Sequence, residues 1–205
     1  MARPNDSSRR DLPDIQWLER MYNNRQRVPD HDDYFARWAA ESALVRRSLP
    51  CQLDVRYGDG AGETLDAFAA ARPRSPIVVF IHGGYWKAMD KSQHSFVVPA
   101  LRDLGAAVVV PNYALAPKVG IPDITLQMVR AVAWSWRHAR TLGGDARRIV
   151  VMGHSAGGQL AAMMLACAWN RFEPALPPRL VRAALGISGL YDLQPLLHTP
   201  SLQEV

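Results

Sequence analysis

The sequence predicts an α/β chain, a mostly parallel central sheet flanked by helices. Three observations predict it. Apolar runs at Ile77–Ile81, Ala106–Val110 and Arg148–Met152 are nearly continuous, as strands buried on both faces are. Segments with helical spacing separate them, and that alternation is the pattern of βαβ units. Two short segments near residue 60 instead alternate apolar and polar, which suits an antiparallel hairpin at a sheet edge.

Taken in order, residues 14–27 and 30–47 read as helical. Residues 1–50 are therefore expected to be an N-terminal helical arm packing on a core of residues 51–205, within one structural domain. Leu53–Tyr57 and Glu63–Phe68 form the hairpin, joined by Gly58–Gly62. Residues 77–82 make the first central strand, 92–104 a helix, and Ala106–Val110 the next strand. Residues 123–140 read as a helix with Ile124, Met128, Val132 and Trp136 on one face. Leu142-Gly143-Gly144-Asp145 closes it, and because these glycines precede a strand they do not form a phosphate-cradling loop. After the strand at Arg148–Met152, Ala156–Trp169 is apolar nearly all round and is expected as a buried helix. Pro174, Pro177 and Pro178 mark a loop, Ala183–Ser188 a last strand, and Gln194–Val205 shows no core-forming pattern.

Composition narrows the function classes. The 205 residues are 48% hydrophobic and 21% charged, which fits one compact domain. The net charge of +5 comes mostly from arginine, but the doublets Arg9-Arg10, Arg46-Arg47 and Arg147-Arg148 are far apart and no basic stripe is interleaved with aromatics. Nucleic acid is therefore not an expected partner. Residues 1–13 are polar and do not read as a secretory signal, and no apolar run approaches the roughly 20 residues of a membrane span. Cys51 and Cys167 are too few for a disulfide framework. The expected location is cytoplasmic, with no membrane partner. His31-Asp32-Asp33 lacks a second ligand pair at metal-binding spacing, so it reads as an acidic helix start and no metal is expected.

Two motifs carry chemistry. Gly153-His154-Ser155-Ala156-Gly157 lies between an apolar strand and an apolar helix. A serine there sits on a sharp turn that demands glycine on both sides. The turn lifts the hydroxyl above the sheet and aims the Ala156 amide at the same spot. His82-Gly83-Gly84-Tyr85-Trp86 follows the first central strand, and two glycines let backbone N–H groups turn inward. Gly84, Tyr85 and Ala156 are the expected donors to an oxyanion, with Ser155 as nucleophile. His82, Gly83, Trp86, Gly153 and Gly157 support the two loops.

These residues resemble the α/β-hydrolase superfamily, and within it the kynurenine formamidase (arylformamidase) group and its bacterial esterase relatives. The likeness rests on His82–Trp86, with Tyr-Trp where lipase-type esterases carry a third glycine, and on Gly153–Gly158. It extends to Ser188-Gly189-Leu190-Tyr191-Asp192-Leu193, to Tyr22-Asn23-Asn24-Arg25 through Val28-Pro29-Asp30-His31, and to Asn112–Pro117, where Ala114 replaces an arginine. The resemblance implies an acyl-enzyme on Ser155, a small ester, amide or N-formyl-L-kynurenine as substrate, an aromatic pocket lined by Tyr85 and Trp86, and no cofactor. A homodimer is compatible with it.

Catalysis by such a serine also needs an imidazole and a carboxylate, which follow the nucleophile in chain order in this fold. His31, His94 and His138 precede Ser155 and read as surface or packing residues; His82 and His154 flank the motifs but offer no base. Only His198 follows, six positions after Asp192. That pair is the remaining candidate, although in the formamidase group this aspartate belongs to a structural Tyr-Asp-Leu turn. The fold is thus expected to lack its last strands and helices. Two functions follow: a serine hydrolase whose natural chain is longer or draws its acid and histidine from elsewhere, or a truncated, catalytically silent remnant that binds small ligands.

Overall fold

A computed structural model describes residues 14–203. Residues 1–13, including Arg9-Arg10 and the polar stretch read as no signal, lie outside the described residues, as do residues 204 and 205 of the tail.

The arm contains α1 (Ile15–Tyr22), α2 (Asn24–Arg27) and α3 (His31–Ser48). The single helix expected over 14–27 is broken at Asn23, whose side chain accepts from the Gln26 N–H and caps α2. Strands β1 (Gln52–Arg56) and β2 (Thr64–Phe68) are the antiparallel hairpin, followed by β3 (Ser75–Ile81). The helix expected over 92–104 is two 3₁₀ turns, Lys91–Gln93 and Ser95–Val97, leading into a short α4 (Val98–Asp103) that Pro99 starts. Then come β4 (Ala107–Pro111), α5 (Ile121–Arg137), β5 (Gly144–His154), α6 (Ala156–Ala166), α7 (Trp169–Phe172) and β6 (Val181–Ile187).

The sheet runs β1-β2-β4-β3-β5-β6. The pairs β4–β3, β3–β5 and β5–β6 are parallel, and β2 joins β4 antiparallel, so the sheet is mixed and mostly parallel. One face carries the larger core, where Ile77, Val79 and Val151 meet Met128 and Val132 of α5 and Leu160 of α6. The other carries Phe68, Phe80, Val108 and Val110 against Val45 of α3 and Val98 of α4.

Three further expectations change. Helix α6 ends at Ala166, and only its inner face is buried: Leu160 and Met164 are fully covered, while Met163 and Leu165 are 43% and 52% exposed. Nothing packs on its outer side among the described residues. The tail does join the core: it forms 3₁₀ turns at Gln194–His198 and Pro200–Leu202, with Leu196, Thr199 and Leu202 buried. Two leucines suffice there because α1 supplies the facing surface, with Leu18 fully buried and Glu19 accepting from the Ser201 N–H at 3.1 Å. Third, β5 begins at Gly144, so Gly144-Asp145 belongs to the strand instead of closing the preceding helix.

Under the arm lies a charge network. Asp66 on β2 is fully buried; its Oδ1 accepts from Lys91 Nζ at 2.7 Å, and its Oδ2 lies 3.1 Å from Arg46 Nε of α3. Lys91, also buried, donates to Asp54 Oδ1 at 2.6 Å. A buried carboxylate without a cation is costly, and this one binds α3, the hairpin and the turn after β3 together. Lys91→Met is expected to destabilise the fold by about 3 kcal/mol in urea titrations, and adding Asp66→Leu is expected to recover much of the loss. An additive double mutant would refute this account.

Candidate active site

Ser155 occupies the turn between β5 and α6 with φ 55° and ψ −119°, a left-handed backbone that side-chain-bearing residues adopt only under constraint. The constraint is crowding of backbones. A Cβ on Gly153 would collide with the Gly157 carbonyl, and one on Gly157 with the carbonyl of Ile81, the end of β3. A Cβ on Gly83 would stand 2.9 Å from the His154 carbonyl and 3.2 Å from Ser155 Cβ. The turn is pinned further by the Ser155 N–H donating to the Ile187 carbonyl of β6 at 2.8 Å. Both predicted loops therefore lie side by side.

In the first loop, Gly84, Tyr85 and Trp86 all have positive φ, at 106°, 49° and 56°. Tyr113 holds it from below: its hydroxyl donates to the carbonyls of His82 and Gly83 at 3.0 and 3.1 Å, and its ring stacks on His82. In a trans peptide the N–H points opposite the carbonyl, so binding the Gly83 carbonyl to Tyr113 turns the Gly84 N–H away from Tyr113. The amides of Gly84, Tyr85 and Ala156 donate to no protein acceptor among the described residues. That leaves them available for an oxyanion.

A cavity of about 770 Å³ opens above Ser155, lined by Gly84 and Tyr85 on one side and the arm on the other. His31, Tyr34, Phe35 and Trp38 of α3 face it at helical spacing, with Tyr22, Arg25 and Val28 from the preceding turns. Tyr85 closes the wall by donating its hydroxyl to the Tyr22 carbonyl at 2.6 Å, and burial pushes its pKa up to about 12. Trp86, expected in the same wall, is fully buried in the core, because the left-handed loop turns its side chain inward. Arg25 and Lys87 are the cations of the wall, and among the described residues no carboxylate lines it.

The histidines sort by burial. His82 is fully enclosed, with Nδ1 2.8 Å from the Gly83 carbonyl and Nε2 3.1 Å from Asn112 Oδ1, so neither nitrogen is free to take a proton from Ser155. Asn112 is itself oriented by donating to Asp90 and accepting from the Lys91 N–H. His94 stacks on His82 with its Nε2 unpartnered, and burial drags its pKa down to about 3. His154 reaches the cavity, edge-on to Trp38, and burial lowers its pKa too. Asp192 is exposed and accepts from the Gln194 N–H, and His198 sits at the end of its 3₁₀ turn. Neither lines the cavity, and among the described residues no hydrogen bond joins Asp192, His198 and Ser155. The sequence pair is thus not brought together. Among the described residues no cluster is able to hold a metal and no helix is long and apolar enough to cross a membrane.

A strand-turn-helix serine beside a glycine loop on a mostly parallel sheet defines a class, and residues 78–204 match the family described as alpha/beta hydrolase fold. The chain belongs to that family. It is 36% identical over 149 residues to kynurenine formamidase of Danio rerio, covering 72% of this chain and 48% of the fish protein. It is 32% identical over 160 residues to esterase LipQ of Mycobacterium tuberculosis, covering 72% of this chain and 37% of that one. Among solved structures, a candidate thioesterase of Silicibacter sp. TM1040 superposes with a TM-score of 0.80 at 36% identity, over 91% of this chain and 69% of that one. The chain spans about half the length, or less, of the curated relatives it matches.

Because His94 is held neutral by burial, an unfolded chain binds a proton that the folded one refuses between pH 6.5 and about 3. Stability is therefore lost as pH falls through that window. In His94→Phe, which keeps the stacking, thermal melts are expected to show a pH dependence shallower by about 1.4 kcal/mol per pH unit there. An unchanged slope would contradict it.

Proposed function

We propose that the protein is a serine hydrolase acting on a carboxylic ester or an aryl formamide of the N-formylkynurenine kind, with Ser155 as nucleophile. The observation that carries this reading is the left-handed Ser155 with three uncommitted amides at its side, open to an aromatic-walled cavity. Ser155 Oγ adds to the substrate carbonyl, whose oxygen takes the negative charge and accepts from Gly84, Tyr85 and Ala156. The amine or alcohol leaves with a proton, and water then releases the acyl group. Tyr34, Phe35, Trp38 and Tyr85 suit a flat aromatic leaving group. Arg25 and Lys87 in the lining favour a substrate with a carboxylate. The names of the formamidase relatives support the formamide, and those of the mycobacterial relatives the ester.

Attack also needs a base at Oγ, and no histidine among the described residues is hydrogen-bonded to it. That observation favours a second reading, a chain that binds small aromatic ligands in this cavity without turning them over. A fluorophosphonate probe with intact-mass detection decides between them. Turnover predicts a single adduct, absent in Ser155→Ala. A folded protein that takes no adduct would leave only the binding reading. If turnover holds, Arg25→Met is expected to lower kcat/KM about tenfold for a carboxylate-bearing aryl substrate and leave its neutral amide counterpart unchanged. Equal losses on both would remove Arg25 from substrate recognition.

A further inference from the structure

The arginines that are scattered in sequence do not stay scattered in the fold. At the end of the sheet where β3 and β5 begin, a groove of about 430 Å³ is lined by Arg74, Arg137, Arg140 and Arg147, with Trp136 and Asp145. Four guanidinium-bearing residues thus share one groove, while Arg148 and Arg182 lie beside it, donating to the Arg74 carbonyl at 3.1 Å and the Arg147 carbonyl at 3.0 Å. Two acids answer them: Asp145 is taken by Arg147, and Glu173 by Arg137. Arg74 and Arg140 have no acidic partner and no side-chain hydrogen bond among the described residues. Arg137 suits the C-terminal end of α5, where a cation offsets the helix dipole. That does not account for Arg74, which sits in a left-handed backbone at φ 60° just before β3.

Like charges around one groove repel one another, and a multiply charged anion relieves the repulsion left at Arg74 and Arg140. Guanidinium groups take phosphate oxygens through paired N–H bonds. Trp136, half-buried in the same groove, offers an indole for a planar ring to stack on. At about 430 Å³ the groove is large enough for one small ligand. We propose that it binds a phosphorylated small molecule carrying a flat heterocycle, of the nucleoside diphosphate class. It is separate from the Ser155 cavity, since β5 spans the sheet between them, roughly 30 Å at strand rise.

Titration calorimetry on the purified chain with ADP, pyrophosphate and adenosine tests this. ADP is expected to bind more tightly than pyrophosphate, and adenosine most weakly. The exposed double variant Arg74→Gln/Arg140→Gln is expected to weaken ADP and pyrophosphate about tenfold, while Ser155→Ala changes neither. Trp136→Leu is expected to weaken ADP toward pyrophosphate, and Trp136→Phe, which keeps a ring and guards against misfolding, to retain most of the affinity. Absence of saturable binding at millimolar ADP would overturn the proposal, as would affinity indifferent to the two arginines. Equal binding of ADP and pyrophosphate would reduce the site to a simple phosphate site and sink the heterocycle. Tighter binding of single-stranded DNA than of ADP would replace it with a polyanion surface.

Discussion

Everything at the candidate site depends on one contact, that of backbone against backbone where the loop after β3 meets the turn after β5. Gly83, Gly153 and Gly157 permit it, since a methyl at any of them would meet a main-chain atom of the other loop or of the turn itself. Backbone cannot yield as a flexible side chain can. The proposed nucleophile and the proposed donors are thus parts of one rigid object, seated at the carboxyl ends of β3 and β5. Preorganised dipoles of this kind need no reorganisation as charge develops.

The cavity has a different origin. Its floor comes from the sheet and its roof from the arm, and the two are joined by the buried Asp66–Lys91–Arg46 network and by Tyr85 bonded to Tyr22. The tail adds a third tie, with Lys87 donating to the Ser201 carbonyl and Ser201 donating to Glu19. Asn23 and Ser201 hold the Glu19 carboxyl below its usual range, consistent with a carboxylate acting as the clasp. Segments far apart in the chain therefore enclose one space.

Continuous apolar runs made the strands at β3, β4 and β5 readable, because a strand buried on both faces has no polar face to hide. Both chemical motifs were equally plain, since backbones packed this closely leave glycines in the sequence. The aromatic stripe of α3 was legible in principle: His31, Tyr34, Phe35 and Trp38 recur at helical spacing. It passed unremarked because charged residues at Asp32, Asp33 and Arg37 dilute the pattern. Trp86 misled for the opposite reason. Its neighbour Tyr85 does line the cavity, and sequence adjacency does not say which side of a left-handed loop a ring leaves from. The tail's two buried leucines carry no periodicity, and the gathering of arginines at the far end of the sheet is a property of topology alone.

The two consecutive left-handed residues, Tyr85 and Trp86, have a consequence for how such a protein can decay. Neither gains the conformational freedom of glycine, so the loop holds its shape because the Trp86 indole is locked in the core and the Tyr85 hydroxyl is tied to the arm. Release of either anchor lets the peptides rotate and swings their N–H groups off target. A lineage could therefore silence this centre by drift at a residue no ligand ever meets, while Ser155 and every glycine around it stay intact and continue to advertise an activity already gone.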